Sequence, residues 1–218
     1  MLIYYLKGIL IQEKGEKEIN ILIDKNNDGN TIHIPIAEDC NTTFYLNKVN
    51  LRKEAYYFDW IIISPEVVFN FFITNFQNYF ELENMEELEQ EGELGFIGFK
   101  PTKIRVIDKL WGIKYLHHFN NIEKDYLILK TLFNKRIERL EKHFIDNKKI
   151  IFYYEHTETN IDLKSPFKYG KEIMKKLFPE LKNYLLNKYS YTNLNEINIK
   201  YIGIDTDDED TIIEEGKK

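Results

Sequence analysis

The stretch IPIAEDCNTTFYLNKVNLRKEAYYFDWIII, residues 34–63, decides how the chain is to be read. It opens on an apolar strand, Ile34 to Ala37, and passes two acids, Glu38 and Asp39. It then reaches the chain's one cysteine, Cys40, and ends in the aromatic and β-branched run Tyr56 to Ile63, which reads as a strand. Between them Phe44, Tyr45 and Val49 recur at helical spacing, which predicts a helix over 41–50. Cys40 therefore stands between a strand and the amino end of a helix. Unsatisfied backbone N–H groups and the positive end of the dipole favour a thiolate there, and the thiolate is the reactive form. Glu38 and Asp39 oppose this if they face the sulfur, so a cationic partner is needed, and a histidine is the leading candidate.

Toward the amino end, Ile19 to Ile23 and Thr31 to Ile36 flank KNNDGN and read as a hairpin. Asp24, Asn26, Asp28 and Gly29 match the first half of a calcium-binding EF loop. Pro35, however, occupies the position of the bidentate Glu, so an ordinary polar turn is expected.

Toward the carboxyl end, Ser64 is an N-cap with Pro65 at the first helical position, and the apolar-rich helix that follows reads through to Phe80. The Glu-rich stretch 81–93 reads as a solvated surface helix or loop. Strands are expected over 103–108 and 112–119, the second ending in His117 and His118, and Asp108 reads as a strand-end cap or turn residue.

The clearest helix spans 123–144. Tyr126, Leu129, Phe133, Ile137, Leu140 and Phe144 form its stripe, and Lys135, Arg136 and Arg139 read as its solvated face. A strand at 149–154, a helix at 168–188 interrupted near Pro179, and a strand at 197–204 complete the pattern. The order of elements defines an α+β fold, with a mixed α/β arrangement as the alternative, in a single domain over 1–204. Residues 205–218 are too acidic to pack and read as a flexible tail.

Composition excludes several function classes. A hydrophobic content of 43% with 15% aromatic residues belongs to a folded globular chain. The net charge is −6 and the Lys and Arg residues are scattered, so there is no footprint for nucleic acid. One cysteine forms no internal disulfide, Lys7 breaks the amino-terminal apolar run, and no run of about 18 apolar residues exists; a cytoplasmic protein with no membrane insertion is expected. His33 lies in a predicted strand, His143 near a helix end where a cation suits the dipole, and His156 has no Cys or second His at metal-ligand spacing; with no phosphate loop or dinucleotide fingerprint, neither metal nor cofactor is expected.

The segment IAEDCNTTFYLNKVNLRKEAYYFDWIIISPEVV, then IDKLWGIKYLHHF, then FNKRIERLEKHF before KKIIFYY, resembles the papain-like cysteine peptidase family first catalogued as a bacterial domain of unknown function. The resemblance covers about 34–155, and Phe58-Asp59-Trp60 with the preceding Leu51-Arg52 is its most specific part. It implies a papain-like architecture in which the helix carrying the cysteine packs on a mostly antiparallel sheet. Carried over by motif, the nucleophile falls on Cys40, the histidine on His117 and the Phe-Asp-Trp aspartate on Asp59, whose role is unresolved. His118 stands where the family commonly has Asp and is the alternative base. Papain-like order puts the group that orients the imidazole after the histidine, which points to Asn120 or Glu155.

The resemblance thus implies a peptidase or acyltransferase acting on a peptide, amide or acyl carbonyl. The alternative is a catalytically degenerate domain that binds a ligand or protein, linked to surface-glycan or secondary-metabolite assembly.

Overall fold

The computed structural model describes residues 30–36, 41–88, 104–156, 170–193 and 196–203. Seven strands and four α-helices alternate along them: β1 (Ile32–Pro35), α1 (Asn41–Lys48), β2 (Ile61–Ile62), α2 (Pro65–Ile73), β3 (Met85–Glu87), β4 (Ile104–Asp108), β5 (Ile113–Phe119), α3 (Ile122–Ile145), β6 (Ile150–His156), α4 (Gly170–Lys188) and β7 (Ile197–Gly203). The fold is α+β, as the sequence indicates. It has two sheets, a parallel one of order β1-β6-β7 and an antiparallel one of order β2-β5-β4-β3.

The parallel sheet is covered on both faces, which is why its strands read as nearly continuous apolar runs. On one face Ile151 and Tyr153 meet Leu46, Val49 and Leu51 from α1 and the turn after it. On the other, Phe152 packs on Phe72 of α2 and Phe178 of α4, with ring centroids 5.8 and 6.2 Å apart. Helix α1 thus lies against β1 and β6 of the parallel sheet, whereas the family resemblance pointed to an antiparallel one. The reason is local: β1 enters the sheet parallel to β6, from Ile32 opposite Ile150 to Pro35 opposite Tyr153, and α1 follows β1 directly.

Several elements differ from the sequence reading for identifiable causes. Helix α1 buries Thr42, Thr43 and Leu46 and leaves Phe44 exposed. Tyr56 to Trp60 form a turn, and only Ile61 and Ile62 are strand. Helix α2 has the expected cap, with Val67 N–H donating to Ser64 Oγ at 3.4 Å. It stops at Ile73, because Asn75, Phe76, Asn78 and Phe80 all take positive φ. Phe76 and Phe80 are buried all the same, so the apolar excess of that segment fills the core from a coil.

Part of the Glu-rich stretch is an edge strand, β3, whose Met85 is buried while Glu86 and Glu87 face solvent. Helix α4 runs through Pro179 without a break, held by the buried Met174, Phe178, Leu181, Leu185 and Leu186 on one face. Of the expected amino-terminal hairpin the second strand is β1, which pairs with β6; its first strand, the EF-like turn and the acidic tail lie outside the described residues.

One continuous cluster of buried residues joins the two sheets. Its hub is Tyr57, whose ring lies within 5.1–5.6 Å of Phe58, Phe71, Phe76, Tyr79 and Phe133. Its hydroxyl meets that of Tyr115 at 3.0 Å. Phe133 of α3 is fully buried and touches Tyr57, Phe80, Tyr115 and His118. Phe133→Ala is therefore expected to lower the unfolding free energy by roughly 3–5 kcal/mol, read from the urea midpoint at unchanged m-value.

Candidate functional site

Cys40, with Glu38 and Asp39, lies outside the described residues. The elements on either side of it are placed: β1 ends at Pro35, and α1 begins at Asn41, the residue after the cysteine. Helix α1 closes on Asn50, which takes the left-handed conformation at φ 56° while Leu51 N–H returns to Leu46 O at 3.0 Å. This brings Arg52 back along the helix, where its Nη1 donates to Asn47 Oδ1 at 2.9 Å.

The same guanidinium builds the next turn. Asp59 is fully buried, and its Oδ2 accepts from Arg52 Nε at 3.0 Å, Arg52 Nη2 at 2.5 Å and the Tyr56 N–H at 2.8 Å. Asp59 Oδ1 is buried without a hydrogen-bond donor among the described residues. Burial pushes this carboxyl above its ordinary range, opposed by Arg52, the Tyr56 N–H and the more distant Arg136. Two further cations seal the turn from outside. Arg139 Nη1 donates to Ala55 O at 2.5 Å, and Arg136 Nη1 to Tyr56 O at 3.4 Å. Arg136 and Arg139, read from the sequence as solvated helix face, are therefore spent on backbone carbonyls; nothing in helical periodicity distinguishes a basic residue facing water from one facing a turn.

The turn delivers Trp60 at φ 63°, a left-handed conformation uncommon for a bulky side chain. Its indole meets the His117 ring edge-on, with centroids 6.1 Å apart and planes at 88°.

His117 is placed by an irregularity in β5. On the β2 side the ladder pairs Ile61 with Tyr115 and Ile62 with Lys114 and goes no further, because the chain before Ile61 is wound into the Asp59 turn. On the β4 side Val106 pairs with Tyr115 but Ile104 pairs with Phe119, so two residues of β4 span four of β5. The bulge lies at Leu116, His117 and His118 and resets which side each faces. His118 turns onto Tyr115 and Phe133, at 5.9 and 5.3 Å, toward α3. His117 turns outward, exposed, beside Trp60. Partial covering of its ring, and then the Arg105 cation on β4, lower the His117 pKa below the ordinary imidazole value.

The other sequence candidates fall elsewhere. Asn120 sits before the start of α3, where its backbone N–H and side-chain amide donate to Asp125 Oδ2 at 2.6 and 3.2 Å. Glu155 has its backbone in β6, opposite Ile202, and its side chain is not among the described parts. Asp108 is the expected cap, fully buried, with Oδ1 accepting from the N–H groups of Leu110 and Trp111 at 3.0 and 3.2 Å. His33 is buried in β1 against the Tyr153 hydroxyl at 2.9 Å, and His143 meets Glu54 at 2.8 Å. Among the described residues no group of three or more His, Cys, Asp or Glu is arranged to hold a metal ion, and no helix is long and apolar enough to cross a membrane.

The chain belongs to the family described as "putative papain-like cysteine peptidase (DUF1796)", whose model matches residues 33–187. The match begins in β1 and reaches almost to the end of α4, beyond the 155 at which the sequence motifs run out. Helix α4 carries only an amphipathic pattern, which has no distinctive motif to recognise. No curated protein and no solved structure matches the chain.

Two outcomes follow from this geometry. Arg52→Ala removes two of the three donors to a buried carboxylate and should cost roughly 3–5 kcal/mol in urea unfolding; the paired replacement Arg52→Met with Asp59→Leu should recover part of that loss. His117 should titrate in NMR below about 6.5. Because its folded value is the lower one, the stability it contributes is complete above the unfolded value and is lost as pH falls from there through the folded value.

Proposed function

We propose that the chain is a cysteine hydrolase or acyltransferase acting on a protein or peptide, in which Cys40 is the nucleophile and His117 the base. One observation carries the choice of base: the bulge in β5 presents His117 outward while His118 is packed on Phe133. The start of α1 at Asn41 supports Cys40 as the nucleophile, since a thiol at the amino end of a helix is held toward the thiolate. Membership in a family of peptidase description supports the reaction class.

In the reaction so read, the Cys40 sulfur bonds to the carbonyl carbon after its proton passes to His117. The imidazolium then gives that proton to the leaving amine as the carbon–nitrogen bond breaks. Water, deprotonated by His117, attacks the acyl-enzyme in hydrolysis, and an acceptor amine does so in acyl transfer; either restores the thiol. The backbone N–H of Cys40 and a neighbouring side chain serve as oxyanion hole. His117 has its pKa lowered, so it is neutral and competent as a base at pH 7. Asn120 donates through its amide and retains its carbonyl oxygen as an acceptor for an imidazole N–H; Glu155 is the second candidate for that role, and His118 the alternative base.

His118 at the position of the family's Asp favours a second reading, a degenerate domain that binds rather than cleaves. The pH dependence of Cys40 alkylation by iodoacetamide separates the two, because the chain has one cysteine. A catalytic thiol reacts with an apparent pKa well below about 8.5, and this reactivity is lost in His117→Ala and kept in His118→Ala. A slow thiol with one profile in all three proteins overturns the catalytic reading and leaves the binding module.

A further inference from the structure

Trp60 has no role in the reaction as described, yet the chain holds it in a conformation that a bulky side chain rarely takes. A left-handed, non-glycine residue persists only where its surroundings over-determine it, and such residues gather at functional sites. Here the surroundings are specific. Asp59, the residue before Trp60, is locked through Oδ2 by both Arg52 nitrogens and the Tyr56 N–H. Ile61, the residue after it, is locked in the β2–β5 ladder opposite Tyr115. Between these anchors Trp60 has only the φ of 63°, and that φ sets its indole edge-on to His117.

His117 needs such a support. The register of β5 passes from Tyr115 to Phe119 without holding the residues between, so the sheet itself leaves the imidazole direction undetermined. A perpendicular ring at 6.1 Å limits rotation of the imidazole about its Cβ–Cγ bond, and with it the direction in which each ring nitrogen points. The same guanidinium that fixes Asp59 also donates to Asn47 in the last turn of α1, the helix that begins one residue after Cys40. One arginine therefore ties the helix following the thiol to the turn that supports the histidine.

We infer that Trp60 is a positioning residue for His117, held against the imidazole by the Arg52–Asp59 pair, which thereby sets His117 relative to the amino end of α1. Asp59 is on this view no proton carrier and acts only through Trp60. The catalytic consequence rests on the reading of His117 as base; the positioning itself does not.

The test follows the His117 Hε1 resonance across pH, assigned among the five histidines by His117→Ala. Trp60→Gly suits the positive φ and removes the ring. It should abolish the ring-current displacement of the resonance and raise the midpoint toward the ordinary imidazole value, as the indole no longer covers the ring. Trp60→Phe should keep the displacement. Asp59→Asn should move His117 in the same direction as Trp60→Gly and add nothing further in the double variant. Trp60→Asn, which also tolerates left-handed φ, serves if Gly loosens the turn. A Trp60→Gly or Trp60→Asn protein with an intact amide fingerprint and an unmoved His117 resonance overturns the inference, as do additive effects of Asp59→Asn. Cys40 alkylation keeps the two readings apart: alkylation indifferent to His117→Ala sinks the catalytic reading alone, whereas alkylation that needs His117 but ignores Trp60→Gly sinks the positioning role alone.

Discussion

The buried ion pair between Arg52 and Asp59 is the constraint on which the middle of the molecule depends. A fully buried carboxylate costs several kcal/mol to desolvate. It is tolerated because three donors converge on one of its oxygens and two more cations line the outside of the turn. In return, the turn it closes sends the four aromatic side chains around Asp59 in set directions. Tyr57 and Phe58 enter the core, Tyr56 packs toward the end of α3 against His143, and Trp60 goes to His117.

The two sheets have different tasks in consequence. The parallel sheet, covered on both faces, is a rigid support whose first strand leads into the segment carrying Cys40. The antiparallel sheet is shorter on its β2 side, since the Asp59 turn consumes residues that would otherwise continue the ladder. Its fourth and last strand in chain order, β5, is bulged where that ladder ends. An exposed histidine results from the mismatch of two ladders of unequal length. A regular strand would have turned His117 to the same face as Tyr115, against α3.

Local signals were legible wherever the chemistry is local. Ser64 and Pro65 announce a helix start because capping involves only the next three residues. Asp108 reads as a cap for the same reason. The long stripe of α3 follows from periodicity alone, whereas the helix after Cys40 rests on a periodicity whose Phe44 turns out to be exposed. Tyr56 to Trp60 misled, since five aromatic and acidic residues before an isoleucine run look like strand, and only Arg52 and the backbone N–H of Tyr56 wind them into a turn. Pro179 misled in the opposite direction: its local cost to a helix is real and is outweighed by five buried side chains of α4.

By itself the sequence determined the α+β class, the single thiol between a strand and a helix, and the motifs by which the family is recognised. Each depends on residue type and on spacings within one turn or one strand. The tertiary structure alone decided which histidine faces outward, what Asp59 holds, and that Arg136 and Arg139 cap backbone carbonyls of a turn some 80 residues earlier. The physical reason is that a bulge and a buried ion pair are set by register and desolvation between segments distant in the chain, and neither leaves a periodic trace in the sequence.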